Sequence, residues 1–530
     1  MTPQRAYRAA CPNCGAPVDF ASAASASAVC SFCRSTLVRD GDALRRIGQS
    51  AELFDDHSPL QLGARGTRQG VGFTLVGRLQ YGYDGGTWNE WHALFDNERS
   101  AWLSEDNGAY VIAFDAALPT DAPTLDGLRA GNRVLADGRA WDVASVTRAK
   151  LIAAQGELPR PPRPGSEFMV ADLRNSAGEV ATLDASDAAK VQWSVGRAVA
   201  LSELALTGLK QDSEKTLGSR AVQCPSCGSA LQVTLATTQS MACLQCSAVV
   251  DLSAGVGGEL KHYAQNNAGT DSSRGAEPQI ALGSTGTLAL GGAPQPWQVV
   301  GYQERCDVPD SSEEDTTFWR EYLLFNRTQG FAFLVDSNDG WSWVKPITGA
   351  PALRGDVAQW QGVNHKKRWA YAAKVTWVQG EFYWRVKQGE QAQVTDFEGQ
   401  GKDSTARLSR EQAGNEVTWS AGQTLSAGAV ADAFGIAAGS RAALQRDAAP
   451  LTGGLSGFRK AVLIFALVVL LMVLLAMCSS DNCNDVRRTF GAASAEYQQC
   501  QRSSGSGYRG SGGSGGGGSY GGSGGGGGHK

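Results

Sequence analysis

The sequence predicts a mainly β protein with two repeats, each a four-cysteine ribbon followed by an antiparallel β-barrel or sandwich. One transmembrane α-helix and a disordered Gly-rich tail are expected to follow. Three observations support this fold class: a cysteine pattern that occurs twice, short aromatic and β-branched segments after each copy, and one uninterrupted apolar segment near the C-terminus. A chain of 530 residues is also too long for a single hydrophobic core.

Each cysteine pattern consists of two C-x-x-C hooks with 15 residues between them. The eight thiols are Cys11, Cys14, Cys30, Cys33, Cys224, Cys227, Cys243 and Cys246. Four thiolates at this spacing surround a tetrahedral Zn²⁺ ion and leave no position for water or substrate. The alternative, a redox dithiol, is disfavoured because four spaced cysteines recur in both copies. The sequence therefore predicts two structural zinc sites, in ribbon 1 (residues 1–45) and ribbon 2 (residues 220–255).

The regions after the ribbons, residues 55–212 and 278–445, are predicted to be duplicated β domains. Five blocks recur in the same order, with one extra residue in the first copy of the second block. The pairs are Phe73–Arg78 with Trp297–Tyr302, Trp88–Phe95 with Trp319–Phe325, Ala101–Leu103 with Ala332–Leu334, Val170–Leu173 with Val394–Phe397, and Val191–Gly196 with Val417–Gly422.

Turn residues separate these strand-like segments. Asp-Gly-Gly at 84–86 and Asn-Asp-Gly at 338–340 are typical of tight turns between strands. Gln379-Gly380 is interpreted in the same way, as the turn of a hairpin that joins 375–378 to 381–386. Helical periodicity is weak in both copies, so each is expected to be a compact antiparallel β domain.

The ribbon and the second block together resemble a known family. A C-P-x-C-G hook is followed by W-x-E-[WY] and an apolar-aromatic pair, carried by Trp88, Glu90, Trp91, Leu94 and Phe95 in one copy and Trp319, Glu321, Tyr322, Leu324 and Phe325 in the other. This arrangement resembles the bacterial domain-of-unknown-function family DUF4178. The resemblance implies tandem β domains in a bacterial protein. It implies no catalytic residues, because the family has no established activity.

The aromatic segments also contain the best candidates for a binding groove. These are Trp88, Glu90, Trp91, Trp319, Glu321 and Tyr322. A carboxylate beside tryptophan can have a raised pKa and act as an acid or base, so an enzyme that uses Glu90 or Glu321 is one hypothesis. The alternative is that each glutamate faces solvent or makes a structural hydrogen bond. His92 has no histidine counterpart in the second copy.

Charge argues against nucleic acid as the main partner. The formal net charge is -4 and the sequence pI is about 5.9. The spacers between the hooks, residues 15–29 and 228–242, contain no lysine or arginine. Ribbons that bind DNA or RNA usually carry basic residues on their fingers. A nucleic-acid-binding ribbon protein is therefore only a second alternative to the functions considered below.

A membrane span is predicted at residues 459–479. Its centre, residues 461–477, contains no polar side chain, and Arg459 and Lys460 directly precede it. Basic charge before the span, the absence of an N-terminal signal-peptide pattern and the zinc thiols all place the N-terminal body in the cytoplasm. The C-terminal side, residues 480–530, is expected to lie outside the cell and to be disordered. Cys483 and Cys500 could pair there or remain unpaired.

The sequence as a whole favours a non-enzymatic, membrane-anchored adaptor. Tandem cytoplasmic β modules, each stapled by zinc, would be presented to a protein partner from the inner membrane of a bacterium. The enzyme hypothesis, with Glu90 or Glu321 in an aromatic groove, is the first alternative. No P-loop or H-E-x-x-H motif occurs, and G-x-S-x-G occurs only within the Gly/Ser-rich tail, so no such motif supports catalysis.

Overall fold

The computed structural model describes residues 7–20, 27–40, 43–49, 58–84, 86–106, 108–187, 190–210, 220–235, 238–252, 262–263, 265, 278–309, 316–326, 329–387, 389–444 and 483–503. The chain divides into a unit that contains both repeats and a unit that spans residues 447–519. The described part is mainly β, as predicted.

The two ribbons are small antiparallel assemblies with the same order of strands. Ribbon 1 contains β1 (Tyr7–Ala10), β2 (Pro17–Phe20), β3 (Ser27–Val29), β4 (Ser35–Asp40) and β5 (Ala43–Gln49). In each ribbon the first pair of strands carries the first hook, and the next pair carries the second hook. Ribbon 2 contains β16 (Arg220–Gln223), β17 (Ala230–Val233), β18 (Ser240–Ala242), β19 (Val249–Asp251) and β20 (His262–Tyr263).

The first β domain is a closed barrel rather than a sandwich. Its strands are β6 (Arg65–Arg68), β7 (Val71–Tyr83), β8 (Gly86–Phe95), β9 (Ser100–Asp106), β10 (Ala109–Ala116), β11 (Arg133–Ala136), β12 (Arg139–Leu158), β13 (Glu167–Arg174), β14 (Glu179–Asp184) and β15 (Gln192–Ala198). Antiparallel pairings run β7-β8-β9-β10-β15-β14-β13-β12 and return to β7. Short 3₁₀ turns cover Leu125–Gly127 and Leu201–Leu204.

The second β domain repeats this ring. Its strands are β21 (Thr285–Leu288), β22 (Gln295–Val308), β23 (Phe318–Asn326), β24 (Gly330–Ser337), β25 (Gly340–Ile347), β26 (Ala352–Arg354), β27 (Val357–Trp360), β28 (Val363–Phe382), β29 (Gln391–Gly399), β30 (Ala406–Ala413) and β31 (Glu416–Leu425). The ring runs β22-β23-β24-β25-β31-β30-β29-β28 and returns to β22. Helix α1 (Ala427–Ala433) and 3₁₀ turns at Gly401–Asp403 and Ala438–Leu444 complete it.

Both barrels close at a pair of glycines on two crossing strands, next to a bulge at which β7 or β22 shifts register against the strand that follows it. In the first barrel Gly77 pairs with Gly156, whose φ is +71°. In the second barrel Gly301 pairs with Gly380, whose φ is +82°. A Cβ atom on Gly380 would lie 2.3 Å from the carbonyl oxygen of Val300. Only glycine combines this conformation with this contact.

This glycine pair corrects one sequence-based expectation. Gly380 was expected in a hairpin turn, but β28 continues through it without reversing. A left-handed glycine serves equally well in a turn and in a strand that another backbone approaches closely, so the sequence pattern did not distinguish the two. The turns predicted at 84–86 and 338–340 do join β7 to β8 and β24 to β25.

The register also corrects the alignment of the two copies. Ala93 pairs with Ala101, and Leu324 pairs with Ala332. Since Ala101 and Ala332 correspond, Ala93 matches Leu324, and the first copy has no extra residue in this block. His92 therefore matches a leucine, Leu323.

Direct contacts join the two barrels within their unit. The backbone N–H of Val146 donates to the carbonyl of Asn415 at 3.1 Å. Asp84, at the tip of the β7–β8 turn, lies 2.7 Å from Arg385 and 2.9 Å from Lys387. A hydrogen bond and two ion pairs therefore connect the two barrels.

The C-terminal unit departs from the prediction of a disordered tail. Residues 483–503 form two helices, α2 (Cys483–Phe490) and α3 (Ala495–Ser503), and a disulfide joins Cys483 to Cys500. The covalent link holds together two helices that are too short to be stable alone. No helix within the described residues is long and apolar enough to cross a bilayer. The predicted span at 459–479 and the Gly/Ser-rich segment 504–530 lie outside the described residues.

Candidate metal centres and barrel interiors

The four hooks adopt one backbone turn. In each, the N–H of the residue after the second cysteine donates to the carbonyl of the first cysteine, at 2.8–2.9 Å. That residue has positive φ in every hook: Gly15 (+73°), Arg34 (+55°), Gly228 (+76°) and Ser247 (+58°). The turn brings the two cysteines of each hook to one side, so their sulfurs can share a ligand.

The sulfurs of each set of four cysteines converge. All ligand atoms within a set lie within 4.8 Å of one another. The Sγ–Sγ distance is 3.7 Å for Cys11–Cys33, Cys14–Cys30, Cys224–Cys246 and Cys227–Cys243. A tetrahedral Zn–S distance of about 2.3 Å places sulfurs about 3.8 Å apart. Both sets therefore fit a tetrahedral metal ion, with all four positions filled by protein.

Hydroxyl groups stabilise some of these sulfurs as thiolates. The Ser35 hydroxyl lies 3.2 Å from Cys33 Sγ, and with the Asn13 side chain it lowers the pKa of Cys33 to about 5. In ribbon 2 the Ser229 hydroxyl lies 3.0 Å from Cys227 Sγ and lowers the pKa of that thiol. Both contacts lower the thiol pKa and so favour the anionic form, which is the form that binds a metal.

Each ribbon is built into the sheet of the barrel that follows it. Strand β3 pairs with the end of β12, and β18 pairs with the end of β28. In the second copy the buried Glu381 on β28 receives four hydrogen bonds from the spacer of ribbon 2. They come from the Thr234 backbone and hydroxyl, the Leu235 backbone (3.0 Å) and the Thr238 hydroxyl (2.5 Å). Strand pairing and hydrogen bonds to Glu381 thus connect the metal-binding ribbon to the barrel.

Glu381 was not singled out from the sequence, although a signal existed. Gly156-Glu157 and Gly380-Glu381 occupy matching positions, because each glycine pairs with its partner where the barrel closes. Glu157 and Glu381 are both buried. An identical Gly-Glu pair in two diverged copies indicates a shared structural requirement.

The predicted groove residues lie on two opposite faces of their strands. Trp88 and Glu90 point into the barrel. Trp91 lies on the other face of the strand, outside the ring, where it packs with Phe73 and Leu103. All three are buried. They do not line one open groove. Glu90 accepts a hydrogen bond from Trp88 Nε1 at 3.3 Å, which is the structural role named as one alternative.

The second copy has the same division of faces. Trp319 belongs to the interior cluster and Tyr322 to the outer one. Glu321 is completely buried and accepts hydrogen bonds from Trp319 Nε1 at 2.7 Å and Gln303 Nε2 at 2.5 Å. Burial raises the pKa of Glu321, although Arg305 at 3.6 Å opposes the shift. Because it is buried, this carboxylate is not accessible to a substrate.

Arg305 is the centre of an ion network that sequence reasoning missed. Its guanidinium lies 2.8 Å from Glu411 and 3.6 Å from Glu321, and all three side chains are buried. In the first barrel the residue that matches Arg305 is Tyr81. Tyr81 pairs with Trp88, just as Arg305 pairs with Trp319. The two barrels therefore have the same shape but different interior charge.

Asp396 lies near the network, at one end of the second barrel. It accepts a hydrogen bond from the Tyr371 hydroxyl at 2.8 Å, and burial raises the pKa of Asp396 to about 7. Together with Arg407, Ser409 and Ser342 it lines a cleft of about 50 Å³. Such a space holds a few water molecules and not a whole metabolite.

The first-copy histidine has a structural environment. His92 Nδ1 donates to the Glu157 carbonyl at 3.0 Å, and Nε2 lies 2.9 Å from the Ser100 hydroxyl. Burial lowers the pKa of His92, which favours the neutral ring. The second barrel does not repeat a pair of His92 and Glu90, because Leu323 stands in the place of His92.

Comparison with known proteins identifies the duplicated unit. A family model described as a domain of unknown function, DUF4178, matches residues 61–201 and 285–427, which together exceed half of the chain. No curated protein and no solved structure matches the chain. The two matches coincide with the two barrels and exclude both ribbons. The chain therefore belongs to the DUF4178 family and carries two copies of its domain, each preceded by a four-cysteine ribbon.

Proposed function

We propose that this protein is a membrane-anchored, zinc-binding adaptor that presents two cytoplasmic β modules to a protein partner. The body before residue 459 would face the cytoplasm of a bacterium, and the disulfide-linked helices after residue 479 would lie outside. Three features of the protein support this function: the chemistry of the metal centres, the surface of the repeats and the distribution of thiols and disulfides.

The metal centres favour a structural role for zinc. All ligands are sulfur, which zinc accepts readily, and the closed shell leaves no site for a bound water or substrate. Purified full-length protein should contain two zinc ions per chain by elemental analysis. Replacing Cys11 and Cys14 with serine should remove one, whereas Cys306→Ala, outside the hooks, should remove none. Recovery of iron, or of no metal, would contradict this part.

The observation that carries the adaptor proposal is the repeated exposure of large apolar side chains. In the second hook of each ribbon, Phe32 is 74% exposed and Leu244 is 83% exposed. Beside the barrels, Leu135 on β11 is 66% exposed and Leu353 on β26 is 37% exposed, at positions that do not correspond, because β11 matches β27. Single exposed apolar residues are ordinary, but a large one inside the second hook of both ribbons favours a binding surface there.

Cysteine chemistry supports the orientation. None of the eight cysteines of the hooks is in a disulfide, and thiols persist in a reducing compartment. Cys483 and Cys500 form a disulfide, which persists in an oxidising one. The apolar segment 461–477 separates the two kinds of cysteine. One membrane crossing accounts for all three facts.

The test is site-specific photo-crosslinking in living cells. A crosslinking residue at Phe32, Leu244, Leu135 or Leu353 should capture the same protein, and the exposed positions Asp126 and Lys402 serve as controls. Capture at the control sites alone, or no reproducible product from any apolar site, would reject the adaptor role. Turnover of a defined substrate by the purified protein would support the enzyme alternative instead.

A further inference from the structure

The two metal centres share one backbone but differ in the charge around them. Residues 11–49 contain four arginines, whereas the matching residues 224–262 contain no arginine and one lysine, Lys261. Four thiolates and one zinc ion carry a net charge of about -2. Nearby cations therefore compensate the first centre, and the hooks of the second centre supply no such charge.

Two arginines lie directly on the hooks of the first centre. Arg34 follows Cys33 and is exposed, in the left-handed conformation that Ser247 adopts in the second ribbon. Arg46 Nη1 donates to Asn13 Oδ1, inside the first hook, at 3.0 Å. The matching hook position in the second ribbon is Ser226. The natural difference between the copies is thus a pair of guanidinium groups.

Both centres also have a hydroxyl group beside their sulfurs, but at different places. Ser35 lies 3.2 Å from Cys33 Sγ, whereas Ser229 lies 3.0 Å from Cys227 Sγ and 3.2 Å from Cys243 Sγ. Each centre has an exposed second cysteine in its first hook, Cys14 or Cys227. Charge beside the hooks differs as well, and exchange of Arg34 and Ser247 changes it without changing these hydroxyl groups.

Charge controls how readily a metal-bound sulfur reacts. The metal already keeps every ligand deprotonated, so reactivity depends on intrinsic nucleophilicity rather than on the fraction of thiolate. A neighbouring cation withdraws electron density from the sulfur and lowers that nucleophilicity. The second centre should therefore react faster with small electrophilic oxidants.

We propose that the second centre is an oxidant-sensitive site, at which hydroperoxides oxidise the cysteines and release zinc before the first centre reacts. The proposal rests on zinc occupancy, as proposed above. Cys227 Sγ attacks a peroxide oxygen, the O–O bond breaks, and the leaving hydroxide takes a proton to form water. The resulting sulfenic acid is then attacked by Cys243 Sγ, which lies 3.7 Å away.

The second step forms the disulfide and expels hydroxide, which takes another proton. In total, hydrogen peroxide and two protons become two water molecules, and two thiolates become one disulfide. Zinc is left with two sulfur ligands and dissociates. The spacer that the metal had fixed contains Thr234 and Thr238, so its tie to Glu381 on the second barrel should loosen.

The experiment uses the purified full-length protein with hydrogen peroxide as the probe. Released zinc is followed with the chromophore 4-(2-pyridylazo)resorcinol, and the oxidised cysteines are identified by differential alkylation and mass spectrometry. We expect two phases of one zinc each, with the second centre reacting at least about threefold faster. Cys224, Cys227, Cys243 and Cys246 should be oxidised in the fast phase.

Exchange of one side chain between the copies is the decisive control. Ser247→Arg should slow the fast phase, and Arg34→Ser should accelerate the slow phase. Arg368→Ser, which removes an exposed arginine from β28, should change neither. Equal release rates, faster reaction of the first centre, or swaps without effect would overturn the inference and leave the zinc proposal intact. Absence of bound zinc before oxidation would instead overturn the zinc proposal.

Discussion

Replacement of Arg305 by methionine tests whether Glu321 has a structural or a catalytic role. The guanidinium lies 2.8 Å from Glu411 and 3.6 Å from Glu321, inside the second barrel. Arg305 and Glu321 are 3% and 0% exposed, respectively. Methionine fills most of the same volume but removes the positive charge. Two carboxylates then remain in an interior that no longer contains their shared partner.

Removing one member of a buried ion network costs about 3–5 kcal/mol, because the remaining charges are desolvated without compensation. For a domain of this size, about 4 kcal/mol lowers the unfolding midpoint by roughly 10 °C. Burial already raises the pKa of Glu321 despite Arg305, and loss of the cation raises it further. A carboxyl whose folded pKa lies above its unfolded pKa destabilises most at high pH. The penalty should therefore shrink as the pH falls.

Hydrogen exchange measured by mass spectrometry reports the local stability of β22 and β23 separately from that of the first barrel. The matched control is Arg368→Met, because Arg368 lies 2.8 Å from Glu398 but is 38% exposed. An exposed pair contributes at most about 1 kcal/mol. Equal effects of the two variants, or a penalty for Arg305→Met that is the same at pH 5 and pH 7, would refute the reasoning.

Three further predictions concern the second repeat. Gly380→Ala should cost at least about 3 kcal/mol, because φ is +82° and the new Cβ would meet the Val300 carbonyl; thermal unfolding measures this. Asp396→Asn should flatten the pH dependence of stability between about pH 4 and 7. Burial raises the folded pKa of Asp396 to about 7 from 3.8, so proton uptake stabilises the wild type as the pH falls. Glu381→Gln should increase hydrogen exchange in ribbon 2, since one charged acceptor holds four donors.

Gly380→Ala and Glu381→Gln each have a matched control. Gly355→Ala has positive φ but no neighbour within 4 Å, so it should cost only about 1 kcal/mol. Glu398→Gln, on the surface, should leave exchange in ribbon 2 unchanged. A Gly380→Ala variant as stable as Gly355→Ala, an Asp396→Asn variant with the wild-type pH profile, or unchanged exchange after Glu381→Gln would each contradict the stated cause.

Local patterns predicted the parts of the fold that depend on neighbouring residues. Cysteine spacing predicted the hooks, because a C-x-x-C turn is set by a few consecutive dihedral angles. Alternating aromatic residues and the turn residues at 84–86 and 338–340 predicted strands and their connections. Gly380 shows the limit, since its left-handed conformation fits either a hairpin turn or a strand that another strand crosses closely. The choice depends on β22, which is distant in sequence.

The buried network was not predictable for the same reason. Arg305 and Glu411 are 106 residues apart and meet only because the ring of strands closes. Conversely, Trp88 and Trp91 are only three residues apart on one strand, yet they belong to different cores. Side chains alternate between the two faces of a strand, so an odd spacing puts them on opposite faces. Selecting them together as a groove ignored this alternation.

Duplication makes the second copy a control for the first. Features that both copies retain, such as the hooks and the closing glycine pair, are those that the shared fold requires. Features that differ cannot be required by the fold, because the other copy folds without them. Arg305 against Tyr81, in the barrel interiors, and Arg34 against Ser247, in the ribbons, are differences of charge within an unchanged backbone. A functional distinction between the repeats should therefore reside in interior charge and ribbon charge, and exchange of these residues between copies should transfer it.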